Sequence, residues 1–274
     1  MKINLHIHTD SSLDGVYDVN DIIQRFENEN YDIISITDHN TCESYEKILN
    51  NKKIKIISGM EADAIVNNNT YDFLCYGFNI KEVAKYAFEK YDTIENRQQK
   101  IFDALLEKCQ EHNIKLKRVC SYNSSLEYAH SALVRMLDKK FLRQYKIKTG
   151  EDLYRISVTD KTFPLYIDMH MVWPNIEELV NVIHQNNGKI FLAHPYRYYK
   201  PVVEVLNDVK DYIDGIEISN NPMKKKEVKF LYNYAKENNL LVSCGSNYHG
   251  NDDDIIDCNH LTEEMINDVL SWIE

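Results

Sequence analysis

The chain has 274 residues, of which 43% are hydrophobic, and a formal net charge of −11. A chain of this length can bury one substantial core, which favours a single domain over residues 1–274, and its hydrophobic fraction argues against disorder. The negative charge argues against duplex DNA as a partner, because Lys and Arg must replace counterions along the phosphates. A small phosphorylated ligand needs only local positive charge, and the net charge does not argue against it.

The amino terminus and the cysteines bear on location. Residues Met1–His6 form too short an apolar stretch for a signal peptide, and no run approaches the ~18 apolar residues of a membrane-spanning helix. We therefore predict a cytoplasmic protein without a membrane partner. The six cysteines are scattered, with no C-x-x-C pair, and are expected to be small buried side chains in a reducing compartment: Cys42, Cys75, Cys109, Cys120, Cys244 and Cys258.

Short β-branched runs alternate with amphipathic helical stretches, which is typical of a parallel α/β fold. About seven such strands come close to a closed barrel, in which reactive groups lie at the carboxyl ends of the strands. The predicted strands are Lys2–Ile7, Asp32–Ile36, Lys55–Ser58, Tyr71–Tyr76, Lys189–Ala193, Gly215–Ile218 and Leu240–Ser243. The predicted helices include Asn20–Glu29, Ile176–Asn186, Val202–Tyr212, Lys224–Glu237 and Glu263–Ile273.

Histidines and carboxylates stand at five of the predicted strand ends. A lone histidine is more often a hydrogen-bonded core or surface residue, but five such ends on one rim are hard to explain by packing alone. We therefore expect these side chains to meet at one rim. They are His6, His8, Asp38, His39, Glu61, His194 and His249.

His6 and His8 stand two residues apart on the first predicted strand. Alternate residues of a strand point to the same side, ~6.6 Å apart, so the two imidazoles can hold one ion. By itself such a pair has an even chance of being structural. Together with Asp14 and the other rim residues it predicts a polynuclear metal site, and imidazole mixed with carboxylate favours Zn, Mn or Fe.

Five segments resemble the PHP (polymerase and histidinol phosphatase) family of metal-dependent phosphoesterases, in family order across nearly the whole chain. They are His6–Gly15, Ile36–Thr41, Gly59–Glu61, Leu192–Pro195 and Gly245–Gly250. The resemblance implies a distorted (β/α)7 barrel with two or three divalent metal ions. It also implies that His6, His8 and Asn247 hold one ion, Glu61 and His194 a second with Glu61 bridging, and Asp14, His39 and His249 a third.

Two positions depart from the family pattern. The last segment has Asn247 where the family has aspartate, and an asparagine can coordinate through its carbonyl oxygen but brings no charge. The strand Tyr71–Tyr76 has Asp72 at the position closest to a family histidine. Asp72 either replaces that ligand or is an ordinary strand residue. The number of ions, two or three, depends on both positions.

The stretch from about residue 97 to 161 lacks the alternation of the barrel and is predicted to be a mainly helical insertion over the metal rim. It carries a net charge of +6, which leaves −17 for the rest of the chain. This asymmetry favours an anionic ligand near the insertion over a solvated helical face with incidental charge. Its segments resemble the insertion of nucleotide-cleaving PHP proteins, which implies that Arg97 and His130 contact phosphate. A third expected contact is Arg197, because a guanidinium pairs bidentately with phosphate oxygens.

The resemblance implies a phosphoesterase in which a metal-activated hydroxide attacks phosphorus. The expected substrate is a small phosphorylated molecule, with a nucleotide or the 5′ end of a short oligonucleotide favoured. A histidinol-phosphate-type phosphatase is one alternative. A non-catalytic metal- or nucleotide-binding module with a decayed centre is another, and the oligomeric state stays open. The expected catalytic residues are Asp38, His39, Glu61 and His249, with Asp38 and Glu217 considered as groups that orient ligands or water.

Overall fold

The computed structural model describes residues 1–49, 53–117, 121–198, 200–251 and 254–273. Within these ranges eight strands form two sheets. Three parallel strands make the first sheet in the order β1 (Ile3–Ile7), β2 (Ile33–Ile36) and β3 (Lys55–Ile57). The second sheet has the order β4 (Gly59–Val66), β5 (Asn69–Tyr76), β6 (Lys189–Leu192), β7 (Gly215–Ser219) and β8 (Leu241–Cys244).

The expectation of uniformly parallel strands is wrong at β4 and β5. Strand β5 pairs antiparallel with both β4 and β6, and the sequence predicted no separate strand at β4. Asn67 and Asn68, which join β4 to β5, both have positive φ, at 49° and 63°. Positive φ at both central residues is the geometry of a two-residue type I′ hairpin, which asparagine tolerates better than most residues. The Asn-Asn pair was therefore the local signal for this hairpin.

The two sheets are joined near the carboxyl ends of β1 and β2. Isolated parallel bridges join Ile7 to Tyr248 and His39 to Glu61. At the second bridge the Asn40 amide donates to the Glu61 carbonyl at 2.7 Å. In the described residues no continuous ladder closes the predicted seven-stranded barrel, so the architecture is a mixed α/β fold of two joined sheets.

Ten α-helices occur in the described ranges, and those outside the long β5–β6 connection agree closely with the predicted ones. They are α1 (Val19–Asn28), α2 (Ile80–Tyr91), α3 (Ile94–Glu111), α4 (Ala129–Met136), α5 (Lys139–Gln144), α6 (Gly150–Thr159), α7 (Ile176–Gln185), α8 (Val202–Val209), α9 (Lys225–Glu237) and α10 (Glu263–Leu270). Among the described residues, no helix has both the length and the apolar character needed to cross a bilayer.

The connection between β5 and β6 carries helices α2 to α7, so it begins and ends outside the predicted insertion boundaries. Helices α3, α4 and α6 face the carboxyl ends of the strands across a cavity of about 830 Å³. Most of the apolar core lies beneath this rim, and a smaller apolar cluster packs under α1 around Phe26 and Ile34. Strand ends therefore line one side of the cavity, which we call the floor, and helices α3, α4 and α6 line the other side, which we call the roof.

Four of the predicted buried cysteines are buried: Cys42, Cys75, Cys109 and Cys244. Cys258 is only partly buried, and its thiol donates to the Ile3 carbonyl. Cys120 lies outside the described residues.

Candidate metal centre

The strand ends bring three groups of metal-ligating side chains together on the cavity floor. In each group the ligand atoms lie within 4.8 Å of one another. All the predicted ligands lie at this floor, although Asn247 and His39 are neighbours of the groups and not members. The groups are His6, His8 and Glu61; Glu61, Asp72 and His194; and His8, Asp14 and His249.

Glu61 is the central carboxylate of the site. It is fully buried at the start of β4, where the bridge to His39 fixes its backbone. Its Oε2 lies 3.0 Å from His6 Nε2 and 3.1 Å from His8 Nε2, while its Oε1 lies 2.9 Å from His194 Nε2. Each carboxylate oxygen therefore belongs to a different group, which is the arrangement required of a carboxylate that bridges two ions.

Asp72 extends the Glu61–His194 pair. Its Oδ2 lies 3.4 Å from His194 Nε2. The antiparallel register places Asp72 directly opposite Asp63, on the strand that carries Glu61. Burial and the charges of Asp63 and Glu61 raise the pKa of Asp72 well above its usual range. A cation held here would offset this carboxylate repulsion.

Asp14, His39 and His249 form the outer, half-buried part of the site. Asp14 Oδ2 lies 3.7 Å from His39 Nε2, and Asp14 Oδ1 lies 3.5 Å from His249 Nδ1. His39 also approaches Glu61, at 3.5 Å between Nδ1 and Oε2. His8 stacks between the rings of His39 and His249, at centroid distances of 4.5 and 4.3 Å, which connects this part to the deeper groups.

The donor atoms fit bound divalent cations. Asp14 Oδ1, His249 Nδ1 and His194 Nδ1 are buried and have no hydrogen-bond partner within the described ranges. Buried polar atoms are normally hydrogen-bonded, so Asp14 Oδ1 and His249 Nδ1, which face each other at 3.5 Å, fit a bound cation. His194 faces Glu61 and Asp72 with its other nitrogen, Nε2. Mixed imidazole and carboxylate donors suit Zn, Mn or Fe.

Burial and the same charged neighbours shift the pKa values of the histidines at the floor. Burial alone would lower the pKa of His6, but Glu61 and Glu217 outweigh it and raise the pKa to about 9. Burial, together with His249 and His39, lowers the pKa of His8 to about 3. His8 is therefore neutral near pH 7, as a metal-ligating histidine must be, whereas at His6 a cation would have to displace a proton.

Glu217 holds two of the ligands in place. Its Oε1 lies 2.8 Å from His6 Nδ1, and its Oε2 accepts hydrogen bonds from the backbone N–H of His194 and from Asn220. A carboxylate on the far nitrogen of a metal-binding imidazole fixes its tautomer and increases its basicity. These contacts fit the role considered for Glu217 from the sequence, that of a group that orients ligands.

Asp38 organises the loop beneath the site. It is fully buried and does not line the cavity. Its carboxylate accepts hydrogen bonds from the Thr9 amide at 2.7 Å, the Thr9 hydroxyl at 2.8 Å and the Ser12 hydroxyl at 3.0 Å. Ser12 in turn accepts the His39 amide. These contacts fit the expectation that Asp38 orients ligands or water, and its catalytic role stays a prediction.

Asn247 approaches His8 with its carbonyl oxygen, at 3.2 Å from Nε2. It has a φ of 54°, in the left-handed region that asparagine tolerates. The chain reaches it through Gly245, where a Cβ atom would lie 2.1 Å from the Cβ of His6. Glycine there allows the β8 end to approach β1 closely enough for Asn247 to enter the site.

The three predicted phosphate contacts all line the cavity but differ in their surroundings. Arg97 on α3 is buried, and its Nη1 donates to the carbonyls of Tyr91 and Asp92, while its Nε has no partner among the described residues. His130 on α4 is buried against Ser157, and burial lowers its pKa to about 3. Arg197 is exposed.

Sequence reasoning missed Asp63 and Tyr128. Asp63 lines the cavity two residues after Glu61 on β4, and its carboxylate accepts from Asn40 Nδ2 at 2.6 Å. Recognising β4 as a strand would have placed it on the same face as Glu61. Tyr128 also lines the cavity, and burial and the charge of Asp14 raise its pKa well above the usual range. No sequence signal pointed to Tyr128.

Comparison with known proteins agrees with this geometry. The chain is 23% identical over 266 residues to a 5′-3′ exoribonuclease of Haemophilus influenzae, covering 90% of each. It is 25% identical over 258 residues to the 5′-3′ exoribonuclease Rnm of Salmonella typhimurium, covering 90% of this chain and 84% of the relative.

Two solved structures share the fold. An amidohydrolase from Chromobacterium violaceum, solved with sulfate and no metal, matches with a TM-score of 0.68 at 17% identity, over 98% of this chain and 97% of its own. A protein of Bifidobacterium adolescentis described as a metal-dependent phosphoesterase matches with a TM-score of 0.63 at 16% identity, over 99% and 96%. The PHP domain model matches residues 4–272, and the chain therefore belongs to the PHP domain family.

Proposed function

We propose that the protein hydrolyses a phosphoester of a nucleotide or of the 5′ end of a short oligonucleotide. The class of reaction follows from the family: the chain is a metal-dependent phosphoester hydrolase. The finer substrate is supported by two relatives named as 5′-3′ exoribonucleases. The observation that carries the proposal is Glu61, whose two oxygens serve separate ligand groups on the floor of a cavity.

We infer that two or three divalent ions, Zn, Mn or Fe, bind at this floor. Glu61 would bridge two of them, with His6 and His8 on one side and His194 and Asp72 on the other. Asp14, His39 and His249 would hold a third. Divalent ions held there would supply Lewis-acid chemistry, polarising the phosphoryl group and making water more acidic.

The residues of the chain prepare the site for this chemistry. Glu217 contacts the His6 imidazole and accepts the backbone N–H of His194, so both residues are positioned before substrate arrives. Asp38 fixes the loop that carries Ser12 and thereby the amide of His39. His39 and His249 are partly exposed to the cavity, at 26% and 15% of the side chain, and lie nearest to an entering phosphate.

Phosphate binding is proposed for Arg97 and His130 on the helices and for Arg197 in the turn after β6. Arg97 offers a buried Nε without a partner among the described residues, and Arg197 stands exposed at the cavity wall. A guanidinium offers a pair of parallel N–H donors that lysine cannot reproduce. His130, which is neutral near pH 7, would act as a hydrogen-bonding group and not as a charge.

We also propose that the two sheets are parts of one distorted barrel and that the helical connection is an insertion in a single domain. The isolated bridges at Ile7–Tyr248 and His39–Glu61 support the first statement. The shared cavity between α3, α4, α6 and the strand ends supports the second.

The test is a substrate screen with Mn-loaded protein against phosphomonoesters, nucleoside 3′,5′-bisphosphates, phosphodiesters and short 5′-phosphorylated RNAs. We expect release of phosphate or nucleotide from the nucleotide substrates, and elemental analysis to find two or three ions per chain. Protein without bound ions after metal-supplemented expression would contradict the proposal. So would metal-loaded protein inert toward every substrate, which is the outcome expected of a non-catalytic module.

A further inference from the structure

A strip of neighbouring aromatic side chains begins beside the cavity and continues along helix α9. Tyr196 lies in the turn after β6, between the cavity-lining residues His194 and Arg197, whose backbones are joined by a 2.9 Å hydrogen bond. The Tyr196 ring lies 6.5 Å from that of Phe230, which lies 6.4 Å from that of Tyr234. We call Tyr196, Phe230 and Tyr234 the aromatic strip.

Two rings of the aromatic strip, Tyr196 and Phe230, are exposed, whereas Tyr234 is half-buried and packs against the edge of the apolar core. Phe230 and Tyr234 stand four residues apart and share one face of α9, whereas Val228, Leu231 and Ala235 on the other face are buried. Tyr196 and Phe230 keep 36% and 37% of their surface exposed. Large aromatic rings gain free energy on burial, so the two neighbouring exposed rings of Tyr196 and Phe230 offer faces for a ligand to cover.

The strip has basic flanks in an otherwise acidic molecule. Lys224, Lys225, Lys226 and Lys229 are all exposed, and none forms an ion pair with another described residue. The one acidic residue among them, Glu227, accepts the Lys224 amide at 2.8 Å at the start of α9. The segment therefore presents free positive charge beside aromatic faces.

We propose that this strip binds the nucleotides that follow the 5′ end of a single-stranded RNA whose first phosphate lies at the metal centre. Aromatic rings on which bases stack, beside cations that follow the backbone, are the general means of binding single strands without sequence preference. Tyr196 stands between the cavity-lining residues His194 and Arg197, so a strand that leaves the cavity on this side would pass the strip. The inference rests on the proposed function and adds the path of the substrate.

A single strand fits this surface better than a duplex. Base faces are exposed only in an unpaired strand, whereas in a duplex they are stacked inside the helix, and a net charge of −11 repels an extended duplex. The small basic segment needs to contact only a few phosphates. Binding of an acidic peptide to the same lysines would depend on charge but not on the rings, and the experiment separates the two.

The test compares Phe230→Ala and Lys226→Glu with matched controls elsewhere on the surface. Phe88→Ala removes an exposed helical aromatic from α2, and Lys81→Glu reverses a lysine at the second residue of α2, as Lys226 is the second residue of α9. Each Mn-loaded protein is assayed with a 5′-phosphorylated RNA dodecamer and with a 5′-phosphorylated dinucleotide.

We expect both strip variants to raise KM for the dodecamer, Phe230→Ala by about 5- to 150-fold, the range for losing one stacked base, and to leave the dinucleotide unchanged. Lys226→Glu should also weaken the salt dependence of KM. Equal effects on both substrates, or equal effects of the α2 controls, would overturn the inference. Loss with Lys226→Glu alone would overturn it in favour of a purely ionic contact.

Binding of fluorescent single-stranded RNA in EDTA, measured by anisotropy, separates this inference from the proposed function. If the wild-type protein hydrolyses no RNA but Phe230→Ala still weakens binding of the dodecamer and Phe88→Ala does not, the strip is supported and the catalytic proposal fails. If RNA is hydrolysed and the strip variants behave as wild type in both assays, the strip fails and the catalytic proposal stands.

Discussion

The floor and the roof of the cavity hold their polar side chains in different ways. On the floor, strand ends fix each ligand, and buried carboxylates such as Glu217 and Asp38 hold the ligands or their loops with hydrogen bonds. On the roof, Arg97 and His130 project from helices and make few side-chain contacts. The floor has the fixed geometry that the proposed cation sites require, whereas the roof carries the side chains proposed to contact phosphate.

This contrast predicts that changes on the floor act on catalysis and metal binding, whereas changes on the roof act on substrate binding. The largest effect is expected for Glu61→Gln. The neutral amide keeps the size of the side chain but removes the charge between two ligand groups, so activity should fall by about 10³-fold or more. Metal content measured alongside turnover should fall below that of wild type. Undiminished turnover would refute the assigned centre.

On the roof, Arg97→Met should raise KM for phosphorylated substrates. The lost charged hydrogen bond is worth about 1.5–3 kcal/mol, or roughly 10- to 150-fold. Arg135→Met is the matched control, because Arg135 is half-exposed and pairs with Glu127 at the surface. Thermal melts check that both variants fold. Unchanged KM and kcat for Arg97→Met would leave this arginine a structural role, through its contacts with the carbonyls of Tyr91 and Asp92 and the ring of Trp173.

Glu217→Gln tests whether the hydrogen-bonded support of the floor matters. We expect metal affinity to fall by about 10- to 100-fold, because His6 loses the carboxylate that sets its orientation and basicity. Added metal should then restore part of the activity, which distinguishes a positioning role from loss of a reacting group. The control is Glu177→Gln, an exposed carboxylate that accepts only the Tyr212 hydroxyl among the described contacts.

The smallest effect concerns stability. Burial lowers the pKa of His130 to about 3, so below the ordinary value of 6.5 the unfolded chain binds a proton that the folded chain excludes. Stability is therefore lost as the pH falls from about 6.5 toward 3, at no more than about 1.4 kcal/mol per pH unit from this group. His130→Gln should reduce this slope in urea unfolding measured between pH 7 and pH 5. An unchanged slope would show that His130 does not contribute.

Much of the floor was predictable because its ligands lie next to strands with clear β-branched patterns. One of them, His6, lies within such a run, and three follow one: His39, His194 and His249. The family assignment made from these segments is confirmed. The antiparallel hairpin was not predicted, because the Asn67–Asn68 turn joins strands whose alternation is interrupted by Asp63 and Asp72. Those two carboxylates are opposed only once the register is known.

The sequence alone determined which ligands are available: histidines two apart on one strand, carboxylates at strand ends, and a basic segment in an acidic chain. The tertiary structure decided which atoms meet. It places the two oxygens of Glu61 against different groups of ligands and Glu217 against the far nitrogen of His6. It also brings Tyr196 next to Phe230, which lies 34 residues later in the chain. Periodicity along a chain reports which face a residue occupies, but contacts between distant segments depend on how sheets and helices pack.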